Sequence, residues 1–377
     1  MGFVKVNLKT INGFDIHYDE DDLKESKDEL LTFLDGEDYM DSLSFAKKMM
    51  LKNEIQSNNN IEGINDDLQN IEATIKNRHA NVLSKADKRI INLYTGYKYI
   101  LQNNPINKET LRHLYSLLSK DLLDAHDQAF MGDYYRTKPV YILKKGRLDD
   151  SYFMGVDESK IEYYMNMFLE YANTCEQKGI DDFIKSQIMH FYFVYVHPYF
   201  DVNGRTSRTV AMWNLLNNQN YSYIIFNRAI AFSGALYEKN IIKSRYSGNV
   251  TPFLEYMLSQ VKIELEKQYL IHYIELSLNT SMSSVEKLAL EYIFSINGTI
   301  TVKDFAVIYN RFNDKKSVTD ILNEIINPMI EKQILIRLEN TKSYINSNTF
   351  NFNFAINPEL FSFDLSKVSK LNLKRYI

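Results

Sequence analysis

Residues 191–208, FYFVYVHPYFDVNGRTSR, constrain this chain more than any other stretch of it. Six apolar and aromatic residues end at His197-Pro198. Proline has no N–H and restricts the residue before it, so the helix that Phe191–Val196 implies must stop there. Asn203-Gly204 marks a turn, and the apolar positions Val210, Met212, Leu215 and Leu216 suit a second helix after it. The chain therefore has to pass from a buried helix through a short loop into another helix. His197, Asp201, Asn203, Arg205 and Arg208 are crowded onto that junction.

The rest of the first 275 residues is compatible with such a helical frame. Apolar residues recur at three- and four-residue spacing over Asp21–Leu34, Asp41–Ile55, Lys85–Leu101 and Asn107–Leu123, with Asn107 as an N-cap. Helices resume over Glu158–Asn173, Asp181–Val196, Gly204–Asn217, Gly234–Ser247 and Pro252–Ile274. Met131–Asp150 is non-helical: Val140–Leu143 reads as a short strand and Lys144–Arg147 as a turn. Leu276–Ser284, small and polar, reads as a linker. Beyond it come three short helices, Val285–Ile296, Ile300–Tyr309 and Lys316–Ile326, then two strands, Ile334–Glu339 and Thr349–Phe354, the order of a winged helix. The expected fold class is mainly α. Residues 1–80 form an N-terminal helical region, 81–275 an all-helical core with a short β-hairpin flap, and 276–377 a winged-helix-like domain.

Composition sets the setting. The apolar fraction of 45% permits an ordinary core, and the 27 tyrosines and 22 phenylalanines are expected to fill it and to leave a tyrosine-rich surface. A net charge of −4 gives no bulk attraction to nucleic acid or anionic lipid. Cys175 is the one cysteine, so no intramolecular disulfide or multi-cysteine zinc site forms, and the seven histidines include no i, i+4 pair. The first twenty residues hold no apolar run of the secretory kind, and no stretch is apolar enough to span a bilayer. A cytoplasmic location with no membrane partner is the expectation.

The junction itself suits a nucleotide phosphate. A helix N-terminus offers unpaired N–H groups and the positive end of a dipole, and Gly204 admits close backbone approach. Arg205 and Arg208 lie three apart and can flank one side of the first turn. Asp201 is a hard oxygen ligand suited to sharing Mg²⁺ with those phosphates, and His197 is a candidate general base, since an imidazole ordinarily changes charge near neutral pH. Singly, each has an ordinary explanation as helix-end histidine, turn former or solvated arginine. Their joint order and spacing are much harder to explain that way.

The segment resembles the Fic-family signature H-P-F-x-(D/E)-(G/A)-N-(G/K)-R-x-x-R, in register at His197, Pro198, Asp201, Asn203, Gly204, Arg205 and Arg208. Gly132–Ile142, GDYYRTKPVYI, resembles that family's flap, with Val140, Tyr141 and Ile142 as the strand that aligns a target segment by strand addition. Thr251–Leu258 resembles the stretch that closes the family's core. Tyr199 stands where the family has Phe, and its hydroxyl needs a partner or solvent. Val202 stands where the family has Gly or Ala, and a β-branched residue resists a left-handed backbone. The resemblance implies a protein adenylyltransferase that uses ATP and Mg²⁺. His197 would deprotonate a Tyr, Thr or Ser hydroxyl of the target, and Asp201 would hold the metal. Asn203 and the Gly204 amide would form an anion hole, while Arg205 and Arg208 would hold the β and γ phosphates.

Upstream, Glu54–Asn65 (EIQSNNNIEGIN) resembles the family's inhibitory helix, (S/T)-x-x-x-E-(G/N), at Glu62-Gly63, with Asn58 at the Ser/Thr position. The resemblance implies that Glu62 pairs with Arg208 in place of the γ-phosphate and forces ATP into an unproductive pose. Read without it, Glu62 is a solvated residue at a helix end. In the C-terminal region, Val285–Asn340 carries seven basic against eight acidic residues, whereas a DNA reader shows a basic face. That favours a protein partner or a homodimer over DNA. Three alternatives stand beside adenylyl transfer to a target protein or to the chain itself. They are transfer of another nucleotide such as UMP, removal of AMP, and a non-catalytic winged-helix regulator.

Overall fold

The computed structural model describes residues 2–34, 51–143, 152–174, 180–218, 225–279, 281–296, 299–313, 315–338 and 352–361. The fold is mainly α, as expected, with three small sheets among the described residues. It divides into two compact units. The first is Met1–Leu31, Met49–Ile61 and Leu68–Val261, and the second is Thr32–Lys48, Glu62–Asp67 and Lys262–Ile377.

The first unit opens with a hairpin, β1 (Phe3–Lys9) and β2 (Asp15–Asp19). Its turn is built at Asn12-Gly13, where Gly13 takes φ +81°. Helices α1 (Glu20–Leu34), α2 (residues 51–61), α3 (Leu68–Lys76), α4 (Lys85–Ile100), α5 (Lys108–Ser119) and the short α6 (Ala125–Ala129) follow. Side-chain caps open α4, α5 and α6, the last through Asp124, which accepts from the Asp127 amide. Ser84 and Asp87 form a capping box on α4, and Asn107 caps α5, its side chain accepting from the Thr110 amide. Strands β3 (Tyr141–Leu143) and β4 (Tyr152–Met154) pair antiparallel with Tyr141 opposite Met154, giving the expected hairpin. The turn expected at 144–147 lies outside the described residues. A 3₁₀ turn (Glu158–Lys160) leads into α7 (Ile161–Ala172) and then α8 (Ile180–Val196), α9 (Asn203–Asn217), α10 (Phe226–Phe232) and α11 (Gly234–Ser247). The long α12 (Thr251–Leu278) runs on into the second unit.

Helix α8 is the axis of the first unit. Of its seventeen residues, Asp181 and Val194 alone are not fully buried, the signature of a helix surrounded by others. It packs most extensively on α9, across the loop the motif occupies. The tyrosines are less a surface feature than expected. Tyr192 donates to the Lys9 carbonyl at 2.9 Å, the Tyr195 hydroxyl accepts from the Ile11 amide at 2.8 Å, and both rings are buried. These two phenols fasten the N-terminal hairpin to α8, satisfying hydroxyls that burial would otherwise strand. His17 pairs with the Gly248–Val250 segment, its N–H bonded to the Gly248 carbonyl and its carbonyl to the Val250 N–H, both at 2.9 Å. Gly248 takes φ +74°, and a Cβ there would meet the Asp15 carbonyl oxygen at 2.7 Å.

In the second unit, α13 (Ser284–Phe294) is followed by β5 (Ile300–Thr301) and α14 (Val302–Phe312). A third helix then runs through α15 (Val318–Ile321), a π turn (Leu322–Ile326) and α16 (Asn327–Glu331). The π turn precedes Pro328, which has no N–H to continue the regular ladder. Strands β6 (Leu335–Arg337) and β7 (Asn353–Ile356) close a sheet of order β5-β7-β6. Three expectations are corrected here. Ile300-Thr301 is strand rather than helix, because Thr301 caps α14 through the Asp304 amide. The third helix extends five residues past Ile326. Leu276–Leu278 belong to α12, so the interhelical segment before the Ser283 cap is shorter than the expected linker.

Candidate functional site

The loop between α8 and α9 is closed by one side chain. Asn203 Nδ2 donates to the Tyr199 carbonyl at 2.7 Å, and its Oδ1 accepts from the Tyr199 amide at 2.9 Å. Both ends of the amide, 2% exposed, thus mimic a backbone pair across five residues. The Asn203 side chain therefore holds the loop, and what this residue can offer an anion is its backbone N–H. Val202 is the N-cap of α9 at φ +65°, ψ +13°, with no side-chain capping bond. Contrary to expectation, the β-branched residue adopts the left-handed conformation. Its isopropyl group is buried, and its carbonyl takes both the amide and the hydroxyl of Thr206, at 3.0 and 2.7 Å. The amides of residues 203–205 precede that first helical bond and are the ones a helix leaves open to an anion.

His197 sits at the other end of the loop in a second left-handed conformation, φ +54°. Its amide still bonds back to the Phe193 carbonyl at 2.9 Å, and its ring Nδ1 lies 3.3 Å from the Val194 carbonyl. A carbonyl can only accept, so that contact assigns the proton of the neutral ring to Nδ1 and makes Nε2 the basic nitrogen. Asp201 is exposed at the loop tip, where Oδ1 accepts from the Val202 amide at 2.6 Å. One exposed carboxylate beside a helix N-terminus has the chemistry that fits Mg²⁺, which takes few protein ligands and completes its shell with phosphate and water. Among the described residues, the three-residue grouping able to ligate a metal is Asp124, His126 and Asp127 at the start of α6, outside this loop, with Asp124 and His126 exposed and Asp127 half-buried.

Arg205 and Arg208 are both buried on the first turns of α9. Arg208 donates from Nε and a terminal nitrogen to Asn58 Oδ1, at 3.0 and 2.7 Å. Asn58 in turn donates to the Tyr97 hydroxyl at 2.8 Å, which fixes which way its amide faces. Asn58 is wholly buried on α2, as is Tyr97 on α4, and burial holds the Tyr97 phenol above its usual range. Nearby on the same helix, Glu54 accepts from Asn227 at 2.7 Å. His190, two turns before the motif, is wholly buried. Burial, with the positive field of Arg208 adding to it, pushes it down to about 3, and its Nε2 lies 2.9 Å from the Tyr237 hydroxyl. Glu62 falls in the turn after α2, with an exposed side chain, in the segment Glu62–Asp67 that clusters with the second unit.

Tyr199 is 0% exposed, stacked on Tyr115 at 3.8 Å, and its hydroxyl has no hydrogen-bond partner among the described residues. The partner expected for this phenol is thus missing, and burial raises its pKa well above the usual tyrosine value. On the flap, Val140 is buried, Tyr141 is 57% exposed, and Ile142 lies within β3.

Two site residues were given no role from the sequence: Arg136 lies inside the flap segment without a function assigned to it, and Gly155 carried no signal. Arg136, 2% exposed, bonds from Nε to the His197 carbonyl at 2.9 Å, from one terminal nitrogen to the Lys138 carbonyl at 2.7 Å, and from the other to the Val156 carbonyl. Its own amide bonds to the Pro198 carbonyl at 2.9 Å. Gly155 abuts it: a Cβ there would lie 2.6 Å from the guanidinium, 3.0 Å from Val140 Cγ2 and 3.2 Å from His197 Cβ.

Residues 105–215 match the family described as Fic/DOC family. No curated protein matches the chain. Among solved structures, a Fic family protein from Desulfovibrio desulfuricans G20 has 17% identity and a TM-score of 0.50, over 86% of this chain and 95% of that one. Fic-1 (residues 134–508) from C. elegans has 15% identity and a TM-score of 0.47, over 66% of this chain and 70% of that one. A Fic domain containing signaling protein from Bacteroides thetaiotaomicron has 13% identity and a TM-score of 0.45, over 70% of this chain and 99% of that one.

Proposed function

We propose, from the premise that residues 105–215 form a Fic domain, that this protein transfers AMP from ATP to a hydroxyl side chain of a protein. The observation that carries the reading is the loop closed by Asn203, with His197 at one end and the uncapped N-terminus of α9 at the other. In this reading His197 Nε2 takes the proton of a target Tyr, Thr or Ser hydroxyl. That oxygen bonds to the α-phosphorus as the α–β phosphoanhydride breaks, and pyrophosphate leaves. The amides at the start of α9, with Arg205 and Arg208, hold the phosphate charge in place before and during the step. Positioning and neutralisation supply most of the rate in such chemistry. Asp201 would hold Mg²⁺, which supplies charge neutralisation on the phosphates. The flap strand from Val140 to Ile142 would align the target backbone.

Glu62 is proposed as an inhibitory residue that competes with the γ-phosphate for Arg208. The second unit is read as a winged helix from its element order and its β5-β7-β6 sheet. Its acidic balance favours a protein partner or a second copy over DNA.

The test is incubation of wild type, Glu62→Gly and Glu62→Gly/His197→Ala with Mg²⁺ and ATP labelled at the α-phosphate, scored by intact mass. Labelling that rises in Glu62→Gly and disappears in the double variant supports transfer and inhibition together. Absence of labelling in every form, with or without an added protein extract, overturns the reading in favour of a binding protein. Salt-sensitive binding to duplex DNA would then identify the regulator.

A further inference from the structure

Arg136 is a buried cation whose guanidinium meets no carboxylate among the described residues. Every bond it makes to the described residues goes to a backbone carbonyl, and those carbonyls belong to two separate segments, the flap and the motif loop. Lys138 and Val156 bracket the β3–β4 hairpin on its two sides, and His197 is the motif histidine. Burial lowers the pKa of Arg136 from its usual value, with Glu158 and Asp157 as the acidic groups opposing that shift.

His197 is the residue that needs such support. It is a non-glycine residue at φ +54°, and it precedes a proline, which itself disfavours helical geometry at that position. A conformation of that kind persists only where the surroundings over-determine it. Three bonds surround it here: the His197 amide to Phe193, the Arg136 side chain to the His197 carbonyl, and the Arg136 amide to the Pro198 carbonyl. The hairpin joins the same assembly, with the Val156 amide bonded to the Val196 carbonyl at 3.2 Å and the Gly155 amide to the Val140 carbonyl at 3.1 Å. Residues on the chain just before Arg136 dock on the loop as well. The Phe130 ring lies 5.0 Å from that of Phe200, and the Phe200 amide points at the Met131 sulfur at 3.4 Å.

We propose that Arg136 is a positioning residue that locks the base of the flap to the motif loop, so that the strand presenting the target and the histidine receiving its proton move as one body. Lysine cannot replace it, because one compact ammonium cannot reach three divergent carbonyls that a planar fork spans. Gly155 is the counterpart of this lock. Any side chain there enters the space of the guanidinium, whose retreat is blocked by its three acceptors.

The catalytic half of this inference rests on the adenylyl-transfer reading, and the mechanical half does not. The experiment keeps them apart. Amide hydrogen exchange is measured by mass spectrometry on the full chain for wild type, Arg136→Lys and Gly155→Ala, with Trp213 emission checking that each variant is folded. Gly155→Ala leaves Arg136 in place and perturbs the lock from outside, so a folding failure of one variant does not end the test. Exchange is expected to rise about tenfold or more in peptides covering both 152–158 and 194–200, together, with α4 and α5 unchanged. A rise confined to the flap, or no rise in either segment, overturns the lock. In the transfer assay, both variants are expected to lose kcat while the affinity for ATP, measured by calorimetry, is unchanged. Loss of ATP affinity in parallel with kcat would make Arg136 a general structural residue and overturn its positioning role. Absence of wild-type labelling strikes the functional reading alone, since exchange still judges the coupling.

Discussion

Val202 holds a left-handed backbone at the head of α9 with a buried β-branched side chain, and the two features pull stability in opposite directions. A strained non-glycine residue of this kind costs about 1–3 kcal/mol. Burying the valine side chain returns about 1.5–3 kcal/mol. Val202→Ala removes two buried methyl groups, worth about 1.6 kcal/mol, and keeps nearly all of the strain. It should therefore destabilise by about 2 kcal/mol once a small cavity is included. Val202→Gly removes the whole side chain and the strain together, so it should lie within about 1 kcal/mol of wild type. The Thr206 bonds go to the backbone carbonyl of Val202 and no side-chain cap is lost, so neither variant sacrifices a hydrogen bond. Glycine should thus exceed alanine in stability by about 1 kcal/mol. Simple cavity reasoning predicts the reverse, with glycine lower by about 1 kcal/mol. Trp213, the one tryptophan, is buried on α9 and donates to the Asn104 carbonyl, so its emission during urea unfolding follows this unit. The predicted gap corresponds to a difference in urea midpoint of about 0.5 M. A midpoint for Val202→Gly at or below that of Val202→Ala would refute the strain argument.

Tyr199→Phe removes a buried hydroxyl with no partner among the described residues and should raise stability by about 1–3 kcal/mol, read as an increase in melting temperature; a decrease would mean that a water or another side chain serves the phenol. His190 is neutral in the fold and carries a pKa of about 3, so the unfolded chain binds the proton first as pH falls through the ordinary histidine range. Stability should then fall with decreasing pH from about 6.5 to about 3, by about 2 kcal/mol between neutrality and pH 5. His190→Gln should flatten that dependence in urea titrations at the two pH values, and an unchanged slope would remove His190 as its source.

Legibility in the sequence followed the range of the physics involved. The helices capped by Ser84 and Asn107, and the break at His197-Pro198, follow from neighbours a few residues apart. The N-terminal hairpin had a readable signal as well, in the alternation of Val4, Val6 and Leu8 before Asn12-Gly13, although a helical expectation for residues 1–80 passed over it. Arg136 could be placed in a motif but given no role, because its acceptors are carbonyls, which every residue possesses. The contact between Asn58 and Arg208 spans 150 positions, and nothing local marks Asn58 as an acceptor rather than a polar residue on a helix. Val202 was read from intrinsic preference alone, and the tertiary gain from burying its side chain overrode that preference.

The clamp that Asn203 places across the loop has a chemical consequence over time. An asparagine followed by glycine is prone to deamidation, because the small neighbour leaves the next backbone nitrogen open to attack the side-chain carbonyl; asparagine is among the residues that thermophiles reduce. Within the folded loop both ends of the Asn203 amide are held on Tyr199, and the following nitrogen lies in a helical turn. Each excursion that opens the loop lifts that protection. Conversion to aspartate would delete the donor facing the Tyr199 carbonyl and set a negative charge at the mouth of α9. The same dipeptide that shapes the site therefore also makes it age, at a rate set by how often the loop comes undone.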